Sequence, residues 1–342
     1  MKALILSAYS ETIDYINGIS HSDLRRSGYY KLNNLINDLR KKNIDIVAKK
    51  NISKIENIAD ILISFDHPNL DKTESINFKK LAKLKILIQI EPECVRPINW
   101  NIQTYELYDY VLTWNDELVD DLKFIKFSPV SIDWNIKKHN SETSLIFSMV
   151  AANKTSAHQF ELYSERKKIV NYFEKSTNDR IFELYGPGWD EICFYMDKFP
   201  FYYGNSKKLS KIRKIMKISK YKNWRGIITD KNEVLCNSRF NFAFENMYGS
   251  DGYILEKIFE PMVCGCIPIY YGAKNIDAYV NNDCFIDYRR FTSIKELVNF
   301  CLNLDVNEIK KYQSNISNFL KSKNIEKFKD EYFSKTILNL LK

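Results

Sequence analysis

Residues 240 to 272 constrain this chain more than any other stretch. Phe240, Phe242 and Phe244 alternate with small or polar residues, the period-two pattern of a half-buried strand, which ends at Glu245-Asn246. A polar turn containing Gly249, Ser250, Asp251 and Gly252 follows, and a helix is expected to open near Tyr253. Gly265 closes that helix, and Cys266 to Tyr271 form a short apolar run suited to a buried parallel strand. Strand, glycine-containing loop, helix and strand make a βαβ unit. Its helix N-terminus sits just past the strand end, where backbone N–H groups and the helix dipole favour an anion. Glu256 and Lys257 fall in the first turns of the helix, so a carboxylate and a cation both reach a bound phosphate ester. The residues point to a nucleotide-sugar site.

The first half of the chain alternates in the same way. Ala3 to Ser7, Ile44 to Val47, Ile58 to Phe65, Lys85 to Ile90 and Tyr110 to Trp114 read as strands, with helices over Tyr29 to Lys42 and Ile76 to Leu84. Such alternation implies a parallel sheet covered on both faces. Ser128 to Ser144 reads as a linker. Leu145 to Val150, Ile181 to Tyr185 and Gly226 to Thr229 then join Phe240 to Phe244 as strands of a second α/β domain. Ile325 to Leu341 has the pattern of a last amphipathic helix. With 342 residues there is room for two ordinary domains, expected over 1–140 and 145–320, and for a terminal helix within 322–342 that packs back on the first. The start, Met1 to Ser10, imitates a signal peptide, but its apolar run is short and a first strand is expected there.

No apolar run approaches the length of a membrane-spanning helix. The seven cysteines, 94, 193, 236, 264, 266, 284 and 301, show no metal-ligand spacing and suit buried thiols in a reducing compartment, so a cytoplasmic protein is expected. The net charge of +8 accompanies a general enrichment in Lys, Asn and Ile, so local clustering is more informative than the total. Residues 207 to 222 carry eight Lys or Arg and no acidic residue, with an apolar stripe at Leu209, Ile212, Ile215 and Met216. That pattern fits a solvated helix face, or peripheral contact with an anionic membrane surface on its inner side. No nucleic-acid-binding motif accompanies the charge.

Phe240, Phe244, Glu245, Asn246, Tyr253, Glu256, Lys257, Gly265, Pro268 and Gly272 together form a pattern that resembles the donor-binding motif of glycosyltransferase family 10, the α-1,3-fucosyltransferases. Leu255 stands where that pattern has threonine. The resemblance implies a GT-B fold, two Rossmann-like doubly wound domains facing across a cleft. The C-terminal domain would hold the nucleotide and the N-terminal domain would supply the base. It also implies inverting transfer of fucose from GDP-fucose to a glycan or glycolipid hydroxyl, α-1,3 to an N-acetylglucosamine-type residue of a bacterial surface polysaccharide or lipopolysaccharide. Two alternatives stay open: a GT-B transferase using another nucleotide sugar, and a catalytically silent glycan-binding protein of this fold.

Inverting transfer needs a base, charge at the departing diphosphate and an aligned anomeric carbon. Glu91 closes the strand Lys85 to Ile90 just before Pro92, at the edge where open α/β sheets bind ligands, and the resemblance makes it the base. Glu93, Asp66 and His67 are the other acceptor-side candidates. Lys257 and, by resemblance, Arg166 would meet the diphosphate, a guanidinium being suited to bidentate binding. Asn246, Glu256 and Tyr253 would contact the donor, Gly186 would let backbone approach the nucleotide, and Arg225 is a further phosphate contact. No Asp-x-Asp occurs, so protein cations rather than a bridging metal are expected at the diphosphate, with divalent metal at most stimulatory and no cofactor required.

Overall fold

The computed structural model describes residues 1–17, 29–49, 59–70, 77–176, 181–189 and 221–341. The basic stretch 207–222 lies outside these apart from Tyr221 and Lys222, as do His21 and Cys193. The described residues form two parallel sheets. The first contains β1 (Lys2–Ser7), β2 (Asp45–Ala48), β3 (Ala59–Phe65), β4 (Ala82–Ile88), β5 (Tyr110–Thr113) and β6 (Phe124–Lys126), in the order β2-β1-β3-β4-β5-β6. The second contains β7 (Phe147–Val150), β8 (Phe182–Tyr185), β9 (Phe240–Phe244), β10 (Ile267–Tyr271) and β11 (Ile286–Asp287), in the order β11-β10-β9-β7-β8. Each order reverses once, at β1/β3 and at β7/β9. Those reversals leave crevices at the carboxyl ends of the strands, where ligands bind in this class of sheet. This is the GT-B arrangement.

Helices cover both sheets because their apolar residues recur at helical spacing. In α2 (Tyr29–Lys41), after α1 (Ser10–Ile16), Leu32, Leu35, Ile36 and Leu39 are buried on one face. β9 is buried along its whole length rather than on alternate residues, because it is an interior strand with both faces covered. Its one polar residue, Asn241, donates to the Ser148 carbonyl at 3.1 Å and to Ser148 Oγ at 2.9 Å on β7, which satisfies it within the sheet.

Three expectations are corrected. The helix over Ile76 to Leu84 gives way to β4 from Ala82, since Leu84 and Lys85 pair with Ile61 and Leu62 of β3. Gly226 to Thr229 is not a strand: the chain pairs with β8 slightly earlier, through Leu184 N–H to the Asn223 carbonyl (3.0 Å) and Arg225 N–H to the Leu184 carbonyl (2.9 Å), and Ile227 is 70% exposed. The last helix is broken, a 3-10 segment Lys323–Phe328 preceding a helix over Asp330–Leu340. Phe333 and Ile337 of that final helix bury into the core of the first sheet beside α2.

The two sheets meet through specific contacts. Asp116, beyond β5, accepts from Asn275 Nδ2 at 2.8 Å and from Tyr279 OH at 2.6 Å, both in the second half of the chain. Gly252 lies against this bridge at φ +79, where a Cβ would come within 2.3 Å of the Trp114 carbonyl oxygen. Tyr253 and Leu255, which flank Ile254, insert into the core of the first sheet.

Candidate functional site

The N-terminal half offers Glu91 on a tightly pinned backbone. Asp66, fully buried beyond β3, accepts at Oδ1 from the N–H groups of Ile90 (2.7 Å) and Glu91 (3.3 Å) and from Asn99 Nδ2 (2.5 Å). Its Oδ2 accepts from Tyr9 OH at 2.9 Å. Two tryptophans hold the carbonyls of the same two residues: Trp114 Nε1 donates to Ile90 and Trp100 Nε1 to Glu91, both at 3.1 Å. The Glu91 side chain is left as the variable part, and its Oε2 is buried with no hydrogen-bond partner among the described residues. Burial, reinforced by the nearby Asp66 charge, pushes its carboxyl up to about 7, against the pull of Lys154 and Lys257.

Asp66 is thus a positioning group, and the other acceptor-side candidates differ from it. His67 is buried, its Nδ1 lies 2.8 Å from Tyr108 OH, and its carbonyl accepts from Arg96 Nε at 2.9 Å. Burial and the Arg96 charge push its imidazole down to about 4, so it is neutral at physiological pH. Glu93 is exposed, 3.5 Å from His158 Nε2. The loop carrying Glu91 is fastened to the other half: Cys94 Sγ donates to the Asn246 carbonyl (3.7 Å), and Ser156 Oγ donates to the Cys94 carbonyl (3.2 Å).

The C-terminal half supplies the ends of β7, β8 and β9 and the start of α4 (Glu256–Val263), which follows α3 (Tyr163–Glu174). Gly186 closes β8 at φ +124, and a Cβ there would lie 2.3 Å from the Ala151 carbonyl oxygen, so the β7 and β8 ends approach as only glycine permits. Asn153 N–H donates to the Pro187 carbonyl at 2.9 Å and its Nδ2 to the Gly188 carbonyl at 2.9 Å. Arg166 of α3 spans the β7/β9 crevice. Its Nη2 donates to the carbonyls of Phe244 and Glu245, each at 2.7 Å, and to Asn246 Oδ1 at 3.0 Å. That guanidinium nitrogen organises the end of β9 and fixes the Asn246 amide, a role that spacing in the sequence did not reveal.

Lys257 stands at the N-terminus of α4 with Nζ 3.4 Å from both Glu245 Oε2 and Glu256 Oε1. Glu245 is fully buried, and its Oε1 accepts from the Leu255 N–H at 2.8 Å. Burial would raise the Glu256 carboxyl, but Lys257 and Lys231 outweigh it and hold the group below the ordinary carboxylate range. Lys231 itself forks onto Glu260 at 2.9 and 2.8 Å. Tyr253 is fully buried, its ring 4.5 Å from that of Trp114, and its hydroxyl has no hydrogen-bond partner among the described residues. Arg225 is placed differently: it is exposed, and its Nε donates to Glu183 Oε1 at 3.1 Å on the edge strand β8.

The structure therefore brings Glu91, Asn246, Tyr253, Glu256 and Lys257 to one junction, with Arg166 beneath it. The sequence reading missed Glu245 and Lys231 as parts of the charge network. The signal for Glu245 was its position at the strand end, two oxygens within reach of the helix that follows. Among the described residues no cluster of His, Cys, Asp and Glu forms a metal site.

Residues 192–334 match the family model described as glycosyltransferase family 10 (fucosyltransferase), C-terminal part, which bears out the resemblance drawn from residues 240 to 272. A GDP-fucose protein O-fucosyltransferase 3 of Xenopus tropicalis is 36% identical over 78 residues, 22% of this chain and 16% of that protein. An α-(1,3)-fucosyltransferase FucT of Helicobacter pylori is 33% identical over 73 residues, 21% of this chain and 15% of its own length. The chain thus spans about a sixth of the curated relatives it matches. Among solved structures, an α1,3-fucosyltransferase with GDP-fucose aligns with TM-score 0.52 at 14% identity, over 98% of this chain and 90% of that one. Anabaena Alr3699/HepE in complex with UDP aligns with TM-score 0.56 at 12% identity, over 100% and 99%. At these identities the likeness is one of fold.

Proposed function

We propose, from the family 10 match over residues 192–334, that this chain is an inverting glycosyltransferase moving fucose from GDP-fucose to an acceptor hydroxyl, with Glu91 as the base. The observation that carries the reading is geometric. Glu91, its Oε2 buried, stands on a loop of one half that Cys94 Sγ ties to the Asn246 carbonyl of the other, where Lys257 opens α4 and its charge acts on the Glu91 carboxyl. Ionised Glu91 would take the proton of the acceptor hydroxyl as that oxygen attacks the anomeric carbon. The bond to the diphosphate oxygen breaks with its electron pair, and the developing charge meets Lys257 and the N–H groups opening α4. A single displacement of this kind inverts the anomeric configuration.

Glu256 and the Asn246 amide lie where donor-sugar and ribose hydroxyls would be held, and Glu93 lies on the acceptor side. The names of the sequence relatives agree on fucosyl transfer, one printing GDP-fucose and a protein acceptor and the other an α-(1,3) linkage, so the donor sugar is the better supported half. We place the acceptor among N-acetylglucosamine-type glycans of a surface polysaccharide or lipopolysaccharide, reached by a cytoplasmic protein that contacts the inner membrane face through residues 207–222. A second reading, a different nucleotide sugar, draws on Leu255, which packs into the first core where the family pattern has a hydroxyl. Transfer from GDP-fucose, UDP-glucose and UDP-N-acetylglucosamine to a panel of N-acetylglucosamine glycans separates the two. Product from a UDP-sugar and none from GDP-fucose would reject the first reading. Loss of transfer in Glu91→Ala with nucleotide binding retained distinguishes an enzyme from a silent binder.

A further inference from the structure

We infer that Glu245 is a positioning residue, the resting counter-ion of Lys257, and that it takes up a proton from solution when the donor diphosphate draws the lysine away. The inference rests on the donor-site reading above.

Glu245 ends β9 with no exposed surface. Its Oε1 is committed to the Leu255 N–H, which sets the entry to α4, while Oε2 has no hydrogen bond among the described residues and faces Lys257 Nζ at 3.4 Å. The side chain fills the space that Gly272 leaves bare, where a Cβ would lie 2.4 Å from Glu245 Cγ. The charged or titratable groups around it are Lys257 and Glu256 of α4, Tyr253 of the preceding loop, Tyr270 of β10 and Arg166 of α3. Arg166 spends its Nη2 on backbone carbonyls and Asn246, so Lys257 is the cation that answers the Glu245 carboxylate.

One ammonium therefore serves two carboxylates. A diphosphate arriving at α4 competes for that ammonium and adds negative charge of its own. Glu256 keeps a second cation, Lys231, and stays ionised. Among the described residues Glu245 has no second cation ion-paired with its carboxyl, Arg166 acting on it from farther off, and burial already holds it at about 7 with Lys257 in place. A buried carboxylate deprived of its partner neutralises rather than remain charged. One proton passes from buffer to Oε2 and no other bond changes. Donor affinity is then flat below neutrality and falls by up to about tenfold per pH unit above it.

Calorimetric titration of the full chain with GDP-fucose at pH 8, in two buffers of different ionisation enthalpy, counts the protons. This donor is suitable because its diphosphate has no group titrating near neutrality. Uptake of about half a proton or more is expected. It should vanish in Glu245→Gln, whose amide oxygen can still accept from Leu255, and persist in Glu91→Gln, which removes the other carboxyl near 7. Uptake unchanged in Glu245→Gln, or lost only in Glu91→Gln, overturns the inference. If Glu245→Gln does not fold, the wild-type protein still decides: binding without proton uptake overturns the inference alone. No binding of GDP-fucose by the wild-type protein overturns the donor reading as well.

Discussion

Replacing Glu91 by glutamine should abolish most turnover while making the protein more stable at alkaline pH. The amide keeps the size of the side chain and leaves the backbone bonds to Asp66 (3.3 Å) and from Trp100 (3.1 Å) in place, so the ionisable group is the main loss. A positioned general base contributes about 10²- to 10⁴-fold in rate, or about 3 to 5 kcal/mol at the barrier. The base works ionised, so wild-type kcat at saturating GDP-fucose should climb up to about tenfold per pH unit below neutrality and level off above it. Stability runs the other way. Folding raises the Glu91 carboxyl from 4.5 to about 7, so the stability it favours is full below 4.5 and lost as pH rises through 7. That difference amounts to about 3 kcal/mol as an upper bound. Glutamine is not subject to it. Thermal unfolding of both proteins at pH 5 and pH 8, beside fucosyl-transfer rates, is the assay. Glu91→Gln should melt several degrees higher than wild type at pH 8, and the gap should shrink at pH 5. Equal turnover in the variant, or a gap that does not depend on pH, would refute the reasoning.

Lys257→Ala removes a charged contact and should weaken GDP-fucose binding about 10- to 150-fold by calorimetry. Its thermal destabilisation should be larger at pH 8 than at pH 6, because Glu245 loses the cation ion-paired with its carboxyl as it ionises. Gly186→Ala forces a Cβ to within 2.3 Å of the Ala151 carbonyl at φ +124; a loss of about 2 kcal/mol or more is expected in urea unfolding. Lys31→Met removes bonds from Nζ to the carbonyls of Ser128 (2.8 Å) and Phe328 (3.1 Å), which tie the linker to the C-terminal segment. It should cost about 3 kcal/mol in the same assay, since two hydrogen bonds from a charged group are lost and the Asp330 carboxyl loses the Lys31 charge that favours its ionised form. Adding Asp330→Asn should recover part of that loss.

The βαβ unit at 240 to 272 was legible because each of its steps is a local demand: alternation in Phe240 to Phe244, a glycine-bearing turn, a helix ended at Gly265, an apolar strand. Glu91 was legible for the same reason, as the carboxylate where a strand runs into Pro92. What stayed hidden depends on contacts between residues far apart in the chain. Arg166 meets the end of β9 across about 80 residues of sequence, and no periodicity announces that its Nη2 belongs to the Phe244 and Glu245 carbonyls. Tyr253 and Leu255 sit in the donor motif yet bury against Trp114 and its neighbours in the other sheet. Gly226 to Thr229 has three β-branched residues and no strand, because Asn223 to Arg225 had already taken the edge of β8. β6 is three half-buried residues, too short for alternation to register.

The central claim is a metal-independent site for GDP-fucose between Glu91 and Lys257. Its most direct test is calorimetric titration of the protein, stripped with EDTA, with GDP, UDP, CDP and GDP-fucose, then again with Mn²⁺ present. Binding of GDP and GDP-fucose without metal, in preference to UDP and CDP and lost in Lys257→Ala, is the predicted result. Preference for UDP or CDP, or binding that appears only with Mn²⁺, would contradict it.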